Sequence, residues 1–143
     1  MHATMKTDYA LRALTELALH HGEIPLRVGI IAGRRSIPEA FLAQLLTQLR
    51  HVGLVRSARG PHGGHTLSRD PHEIRLADVV RAIEGSAAQI NGLDRTEGPG
   101  MFSPTLKPVL LEVETAAWKI LEGITLADLV KKERTRSINQ YVI

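Results

Sequence analysis

The segment Arg59-Gly-Pro-His-Gly-Gly64 restricts the fold more than any other part of this sequence. Its three glycines and one proline exclude a helix and are typical of a turn. Residues 54–58 before it and 65–68 after it have the composition of short strands. The sequence therefore predicts a β-hairpin whose tip is mobile and basic.

Two helices are predicted ahead of this hairpin, in the first quarter of the chain. Residues 7–21 carry apolar side chains at helical spacing, and Thr7 or Asp8 can cap the start of this helix. Gly22 is predicted to end it. A short second helix is predicted over residues 26–33, where aliphatic side chains recur.

A third helix is predicted over residues 38–52, and its two faces differ in chemistry. Ser36-Ile-Pro-Glu39 has the form of a capping box at its start. The face predicted to be buried consists of Phe41, Leu42, Leu45, Leu46, Leu49 and Val52. The opposite face is small and polar, with no acid beyond Glu39, and consists of Ala40, Ala43, Gln44, Thr47, Gln48 and His51. A helix of this kind can bring its backbone close to another surface, such as the major groove of DNA.

Positive charge is concentrated in the same part of the chain. Residues 25–70 hold seven arginines against two acids, Glu39 and Asp70. A planar guanidinium suits phosphates and guanine edges better than an ammonium does. The alternative interpretation of this stretch is a solvated basic face with no ligand.

Three helices followed by a glycine-tipped hairpin is the order of a winged helix–turn–helix that binds duplex DNA. Gln44 is predicted to contact a base edge, because a primary amide can pair bidentately with adenine. Thr47 and Gln48 are placed to contact bases or phosphates, and Arg59 is placed to enter the adjacent minor groove. The remaining predicted contacts are Arg34, Arg35 and Arg56, which neutralise phosphates, and His62 at the hairpin tip.

A long helix with a heptad-like apolar seam is predicted near residues 105–122. Leu111 and Trp118 lie on a different flank from this seam, so one face can pack on its own domain while the other needs a partner. We therefore predict a homodimer joined by this helix. The predicted interface residues are Leu106, Val109, Leu110, Val113, Ala117, Trp118, Ile120 and Leu121.

The sequence as a whole predicts an α+β fold that is mainly α, a winged helix–turn–helix with a long C-terminal dimerisation helix. Residues 1–85 form the predicted DNA-binding domain, 86–103 a loop, 104–133 the dimerisation helix with a return helix, and 134–143 a tail. Within these segments, Ile74-Arg-Leu-Ala-Asp-Val-Val80 is repeated as Ile124-Thr-Leu-Ala-Asp-Leu-Val130. Two copies do not make a repeat protein, so this is interpreted as one local solution used twice.

The chain contains no cysteine, which excludes disulfides, thiolate metal sites and cysteine nucleophiles. It lacks a phosphate-binding P-loop and a nucleophile elbow, so an enzyme is not expected. His62 and His65 flank two glycines with no carboxylate beside them, so solvated histidines are favoured over a metal pair.

No apolar run approaches the length of a membrane span, and no signal layout is present at the start. We expect a cytoplasmic protein with no cofactor, no metal and no membrane partner.

Five segments together resemble the IscR/NsrR/CymR family of bacterial winged-helix regulators. They are Thr7-Asp-Tyr-Ala-Leu-Arg-Ala-Leu14, Ile37-Pro-Glu-Ala-Phe-Leu-Ala-Gln-Leu-Leu46, Leu49-Arg-His-Val-Gly-Leu-Val55, Arg59-Gly-Pro-His-Gly-Gly-His65 and Ile124-Thr-Leu-Ala-Asp-Leu-Val130. The resemblance implies a homodimer joined by the long helix. It also implies recognition-helix contacts from Ala40, Ala43 and Gln44 and a wing contact from Arg59.

The chain departs from the family in one chemically important respect. Many relatives carry three cysteines that hold an iron–sulfur cluster, between the positions equivalent to Ile83 and Lys107, and this chain has none there. Asp8 matches a carboxylate that ligates the cluster in some relatives, and here it is interpreted as a helix N-cap. The sequence therefore resembles the cluster-free branch.

The function predicted from these observations is that of a homodimeric, sequence-specific DNA-binding transcription regulator. It is expected to be a repressor that binds a palindromic operator without an iron–sulfur cluster. The alternative is a dimeric interaction module that acts mainly through a protein partner. Whether it responds to a small-molecule or protein effector is left open by the sequence, as are the operator and the regulated genes.

Overall fold

A computed structural model describes residues 1–141 of the chain, with side chains described at all positions except 86, 87, 140 and 141. The helices are α1 (Met5–Leu19), α2 (Val28–Arg35), α3 (Glu39–His51), α4 (Leu76–Glu84), α5 (Lys107–Glu122) and α6 (Leu126–Tyr141). The strands are β1 (Val55–Ala58) and β2 (Gly64–Leu67), and short 3-10 helices cover Pro71–Glu73 and Gly85–Ala88. The mainly α architecture with one small sheet agrees with the fold predicted from the sequence. No helix within residues 1–141 combines the length and the apolar character that a membrane span requires.

The aliphatic core forms where α1 packs against α2, α3 and α4. Apolar positions recur along α1 and α3 at helical spacing, so each helix presents a continuous buried stripe. The fully buried large side chains include Leu14, Ile31, Leu42, Leu46, Leu49, Leu54, Val55, Ile74, Val79 and Leu126. At the edge of this core, Tyr9 of α1 meets Phe41 of α3 edge to face at 5.7 Å between ring centroids. Helix α3 is thereby fixed on a rigid support.

The start of α1 differs from the prediction. Thr4 is the N-cap, and its hydroxyl accepts a hydrogen bond from the Lys6 backbone N–H. Thr7 is buried and donates its hydroxyl to Glu84 of α4 at 2.7 Å. Asp8 lies inside the first turn and forms an ion pair with Arg12 at 2.7 Å. Thr7 and Asp8 were therefore wrong as capping residues, because the helix begins one turn earlier.

The turn between α2 and α3 also differs from the prediction. Ser36 ends α2 in the left-handed conformation with φ of 54°, and Pro38 is the N-cap of α3 without a side-chain cap. The predicted capping box of Ser36 and Glu39 is absent because Ser36 serves as the C-cap of α2 instead. Ile37, between them, is 5% exposed and anchors this turn in the core.

The wing is the antiparallel hairpin formed by β1 and β2. Val55 pairs with Leu67 at the base, and Ala58 pairs with Gly64 at the tip. Both residues at the base are buried, whereas the β1 positions closer to the tip are exposed. The hairpin is thus rooted in the core and projects from it.

The two copies of the repeated segment pair with each other. Arg75 and Thr125 form an isolated antiparallel bridge. Leu76 N–H donates to the Ile124 carbonyl at 2.9 Å, and Leu126 N–H donates to the Ile74 carbonyl at 2.8 Å. In each copy the aspartate accepts a hydrogen bond from the backbone N–H three residues before it, at 3.0 Å for Asp78 and 2.9 Å for Asp128. The repeat is therefore a local two-fold arrangement that starts α4 and α6 side by side.

The part of the chain between these copies leaves the helical core formed by α1 to α4 and returns to it. Residues 86–103, predicted to be a loop, begin within the 3-10 helix Gly85–Ala88 and bury Ala88 and Leu93. Pro108 lies in the first turn of α5, where its missing N–H costs nothing. After α5, α6 packs on α1 and continues to Tyr141. Residues 134–141 are thus helical instead of a tail, and residues 142–143 lie outside the described part.

Candidate nucleic-acid interface

The exposed face of α3 is the centre of the candidate interface. Ala40, Ala43, Gln44 and Thr47 are all exposed, opposite the buried leucine stripe. Thr47 donates its hydroxyl to the Ala43 carbonyl at 3.0 Å. Within residues 1–141 the Gln44 amide has no hydrogen-bond partner in the chain. This face therefore offers small side chains around the amide of Gln44.

Gln48, one turn further along α3, has a different role. Its side-chain amide donates to the Ala82 carbonyl of α4 at 3.2 Å. The side chain therefore bridges two helices of its own domain. One amide N–H of Gln48 is engaged in this contact, which leaves its second N–H and its carbonyl oxygen available.

The wing is attached to the chain that enters α2. Leu26 and His65 form an isolated antiparallel bridge, with N···O distances of 3.0 Å and 2.7 Å. The Arg27 guanidinium donates to the Pro61 carbonyl at the wing tip, 3.0 Å away. The sequence analysis included Arg27 in the count of basic residues and did not predict this contact. The two adjacent glycines of the wing were the available signal, because they permit one backbone to approach another closely.

Those glycines are required by the space around them. A Cβ atom on Gly63 would lie 2.4 Å from the Ala58 carbonyl oxygen, and one on Gly64 would lie 2.6 Å from the Leu26 backbone. Gly64 also has φ of +148°, which side chains other than glycine rarely allow. The missing side chain of Gly64 therefore lets the wing lie against Leu26, and that of Gly63 lets the wing tip close on the Ala58 carbonyl.

His65 fixes the inner side of the wing. Its Nδ1 is hydrogen-bonded to the Ser57 hydroxyl at 2.9 Å. Burial lowers the pKa of His65, and the charge of Arg50 lowers it further. The imidazole is therefore neutral at pH 7 and acts as a structural hydrogen-bonding group. Within residues 1–141 the structure shows no group of three or more histidine, cysteine, aspartate or glutamate side chains that could hold a metal ion.

The outer side of the wing carries its positive charge. Arg59 and His62 are exposed at the tip. Arg56, on β1, donates to the Ser68 carbonyl at 3.0 Å, which fixes its guanidinium along the hairpin edge. These three residues lie where the prediction placed them, on the projecting hairpin.

Arg34 and Arg35, predicted to contact phosphates, belong to an ion cluster inside the domain. Arg34 lies 3.0 Å and Arg35 lies 2.8 Å from the two carboxylate oxygens of Glu16 on α1. Arg35 is also paired with Glu133 of α6, and its side chain is only 14% exposed. Arg35 is therefore a structural residue, whereas Arg34, at 49% exposure, keeps access to solvent.

Glu16 was missed by the sequence analysis, although it interrupts the apolar face of α1 and is 6% exposed. Burial raises the pKa of this carboxyl, but hydrogen bonds and charge from Arg34 and Arg35 outweigh that effect. The pKa of Glu16 consequently lies below its ordinary value. An acid among leucines on a helix was the available signal, since a buried carboxylate needs cationic partners.

Most arginines of the helix–turn–helix and wing remain available to a ligand. In the described residues, those without a carboxylate at ion-pair distance are Arg27, Arg50, Arg56, Arg59 and Arg69, all of them exposed. Binding of a polyanion such as DNA requires cations that acidic side chains have not already neutralised. The interface thus combines an uncharged helix face with a surrounding arginine field.

A second surface, on α5, is apolar and uncovered. Leu106, Val109, Val113 and Ile120 are 45–64% exposed, and Leu110, Ala117 and Leu121 are half-buried beside them. Trp118 differs from the other predicted interface residues, because Arg81 of α4 lies 4.5 Å from its ring centroid. Trp118 thus packs on its own domain, and the remaining residues form an unpartnered helix face, named here the α5 seam.

Comparison with known proteins identifies the group to which this geometry belongs. Residues 3–132 match the Rrf2 family, described as "Iron-dependent Transcriptional regulator". The chain is 33% identical to the HTH-type transcriptional regulator CymR of Bacillus subtilis over 129 residues, which cover 90% of this chain and 89% of that protein. It is similar to the solved structure of B. subtilis CymR, the global cysteine regulator, with a TM-score of 0.77, 31% identity and coverage of 92% and 98%. It is also similar to the solved structure of T. potens IscR, with a TM-score of 0.75, 36% identity and coverage of 93% and 88%.

Proposed function

Since the chain belongs to the Rrf2 family of transcriptional regulators, we propose that it works in the cytoplasm as a homodimeric repressor of a palindromic operator. The observation that carries this proposal is the exposed face of α3 with its free Gln44 amide, framed by the arginine wing. An uncharged helix face fits the floor of the major groove, and the surrounding cations fit the phosphates on either side.

The proposed docking places α3 in the major groove and the wing in the adjacent minor groove. Gln44 contacts a base edge, and Ala40 and Ala43 let the helix backbone come close to the bases. Arg59 enters the minor groove, where narrow A·T-rich tracts attract arginine. Arg27, Arg50 and Arg56 contact phosphates. In this arrangement the ion cluster of Glu16 holds α2 against α1 and α6.

The dimer is proposed to form through the α5 seam. A helix whose apolar face is not covered by the described part of its own chain is favoured to bury that face against a second copy. Interfaces of obligate homodimers are large and apolar, which suits the aliphatic composition of the seam. Two copies related by a two-fold axis then present two α3 helices to a palindrome.

The family description mentions iron, but the side chains of this protein do not fit an iron–sulfur cluster. Iron–sulfur clusters are held by soft thiolate donors, and histidine or carboxylate replaces only some of them. The chain has no cysteine, and residues 86–104, where relatives place theirs, offer Asp94, Arg95 and Glu97 as charged side chains. We therefore propose that DNA binding needs no cluster. Protein purified anaerobically after expression with added iron should be colourless, and a visible absorption band with stoichiometric iron and acid-labile sulfide would contradict this.

Selection from random DNA tests the proposed function. The purified protein should enrich a sequence with two-fold symmetry and retain it in a gel shift against excess competitor DNA. The affinity should fall steeply with salt, because the arginines displace counterions from the phosphates. Recovery of no common sequence, with binding abolished by competitor, would favour the interaction module that acts through a protein partner.

A further inference from the structure

The tip of the wing, residues 59–63, carries the arginine that is proposed to enter the minor groove. It lies beyond the last strand pair of the hairpin, so the β-ladder does not fix its conformation. One hydrogen bond lies within the tip, from the Gly63 N–H to the Gly60 carbonyl at 3.0 Å. Gly60 has φ of +100° and open space around it, which gives this stretch wide conformational freedom. Holding Arg59 in one position therefore requires a contact from outside the tip.

Arg27 provides that contact. Its guanidinium donates to the Pro61 carbonyl at 3.0 Å, and in the described part of the chain this is the one hydrogen bond between the tip and the rest of the protein. The Arg27 side chain is exposed, and no described carboxylate lies at ion-pair distance from it. A guanidinium has five N–H donors, and this contact uses one of them. The other donors remain available to a DNA phosphate.

The position of Arg27 in the chain connects the tip to the helix–turn–helix. Arg27 is the N-cap of α2, and α2 packs against α3. Leu26, the residue before it, exchanges two backbone hydrogen bonds with His65 of β2, at 3.0 Å and 2.7 Å. The backbone that enters α2 thus lies along the wing like a short third strand. A path of direct contacts therefore runs from α3, through α2 and Arg27, to the wing tip.

This path matters for base preference because the two proposed base-reading residues lie on different elements. Gln44 is on α3 and Arg59 is on the tip, and the proposed docking places them in adjacent grooves. A narrow A·T-rich minor groove attracts an arginine that is inserted into it. A loop that is already held in its bound conformation loses less entropy on binding than a mobile loop does. Fixing the tip relative to α3 therefore strengthens the preference of Arg59 for A·T-rich DNA.

We propose that Arg27 is a positioning residue for the wing, which holds the Pro61 carbonyl so that Arg59 enters the minor groove at a fixed distance from α3. This inference rests on the proposed docking and gives Arg27 a second role besides its phosphate contact. A phosphate contact alone contributes affinity and carries no sequence information. The positioning role makes base preference under the wing depend on a residue that touches no base.

Operator variants test this role at the positions where Arg59→Ala relaxes base preference. For each protein, affinity is compared between an operator with A·T pairs at these positions and the same operator with G·C pairs there. Arg27→Met keeps an apolar stem and removes the donors, so the ratio of the two affinities should fall about threefold or more. In the Arg59→Ala background, Arg27→Met should not change the ratio further, because the residue that it positions is gone.

Arg69→Met is the matched control, because it also removes an exposed arginine without a described carboxylate at ion-pair distance. It should change the affinity for both operators by the same factor and leave the ratio unaltered. If Arg27→Met behaved in the same way, Arg27 would be a phosphate contact only and the proposal would be overturned. If Arg59→Ala relaxed base preference at no position, the docking itself would be wrong, and this inference with it.

A measurement without DNA tests the contact separately from the docking. The chain has no cysteine, so His62→Cys at the exposed tip takes a nitroxide label at a single position. Arg27→Met should increase the mobility of this label in the EPR spectrum, because the tip loses its hydrogen bond to Arg27, whereas Arg69→Met should leave the spectrum unchanged. Unchanged mobility in Arg27→Met would overturn the proposal even if operator affinity fell. Increased mobility with an unaltered affinity ratio would also overturn it, since tip position would then have no effect on base preference.

Discussion

At the scale of single residues, the two glutamines on the polar face of α3 show that the same side chain can have different roles one turn apart. Gln44 has no partner in the described part of its own chain and faces solvent. Gln48 donates to the Ala82 carbonyl of α4. Gln44 is therefore free to contact a base, whereas Gln48 contributes to helix packing.

Substitution of these two residues tests that difference. Gln44→Ala should weaken operator binding by roughly 1–3 kcal/mol and relax the preference at one base pair, because a bidentate amide contact is lost. Gln48→Ala is the matched control and should leave the base preference unchanged. Both effects can be measured by titrating the operator and its single-base variants. If Gln48→Ala lost base specificity and Gln44→Ala kept it, Gln48 would be the residue that contacts the base. That result would contradict the proposed docking.

Glu16 leads to a prediction about pH and stability. Burial raises the pKa of this carboxyl, but Arg34 and Arg35 lower it by more, so its contribution to stability is present above the ordinary pKa, which is about 4.5. That contribution is lost as the pH falls below this value, through the lowered pKa of the folded state. Glu16→Gln should lower the free energy of unfolding by about 1–3 kcal/mol at pH 7, because charged hydrogen bonds are lost, and the difference should shrink on acidification below about pH 4.

Urea unfolding at fixed protein concentration measures this difference. Glu73→Gln, at an exposed position, is the control and should differ little from the unsubstituted protein at any pH. A deficit in Glu16→Gln that stays the same from pH 7 to well below pH 4 would show that the charge of Glu16 is not its source.

Sequence periodicity was sufficient to predict the exposed face of α3, since the buried leucines at helical spacing define the opposite face. It could not reveal the partners of polar side chains, which come from distant parts of the chain. Gln48 and Ala82 are 34 positions apart, and Arg35 and Glu133 are 98 apart. The role of Arg35 therefore depended on tertiary contacts that no local pattern encodes.

At the scale of elements, the wing and α2 form one unit through the bridge between Leu26 and His65. Only part of this unit could be predicted from the sequence. Glycines and strand residues indicated the hairpin, but its attachment to α2 depends on a backbone contact without a sequence motif. The extension of α6 through residues 134–141 was missed for a similar reason, because these residues are mostly exposed and lack an apolar period.

Alanine substitutions test the requirement for glycine in the wing. Gly64→Ala should displace the wing from Leu26, lower stability by about 1–3 kcal/mol and weaken operator binding, because the new Cβ would meet the Leu26 backbone at 2.6 Å. Gly33→Ala is the control in α2, where a Cβ has no neighbour within 4 Å. It should stabilise the protein by roughly 0.4–1 kcal/mol. Thermal unfolding and gel shifts check both, and a Gly64→Ala protein with normal stability and affinity would rule out the close approach.

At the scale of the whole molecule, the α5 seam leads to a prediction about assembly. Val113→Glu combined with Ile120→Glu should give monomers, because two charges would have to be buried in an apolar interface. These monomers should bind the operator weakly, since one α3 contacts only half of the palindrome. Lys119→Glu, an exposed charge change on the same helix, should leave the dimer intact. Sedimentation velocity distinguishes the two states, and a double variant that sediments like the unsubstituted protein refutes dimerisation through the seam.

The pairing of the two repeated segments has a consequence for how this architecture can change. Arg75 and Thr125 lie side by side at the starts of α4 and α6. The chain between these two residues is therefore a loop whose ends are already held together. The entropy of closing such a loop grows only with the logarithm of its length, by about 0.6 kcal/mol for each doubling. Residues can therefore be inserted into the exposed part of the segment before α5, away from the buried Ala88 and Leu93, at little cost in loop-closure entropy. The bridge thus separates the helix–turn–helix and wing, whose geometry must be kept, from the segment before α5, whose sequence can vary.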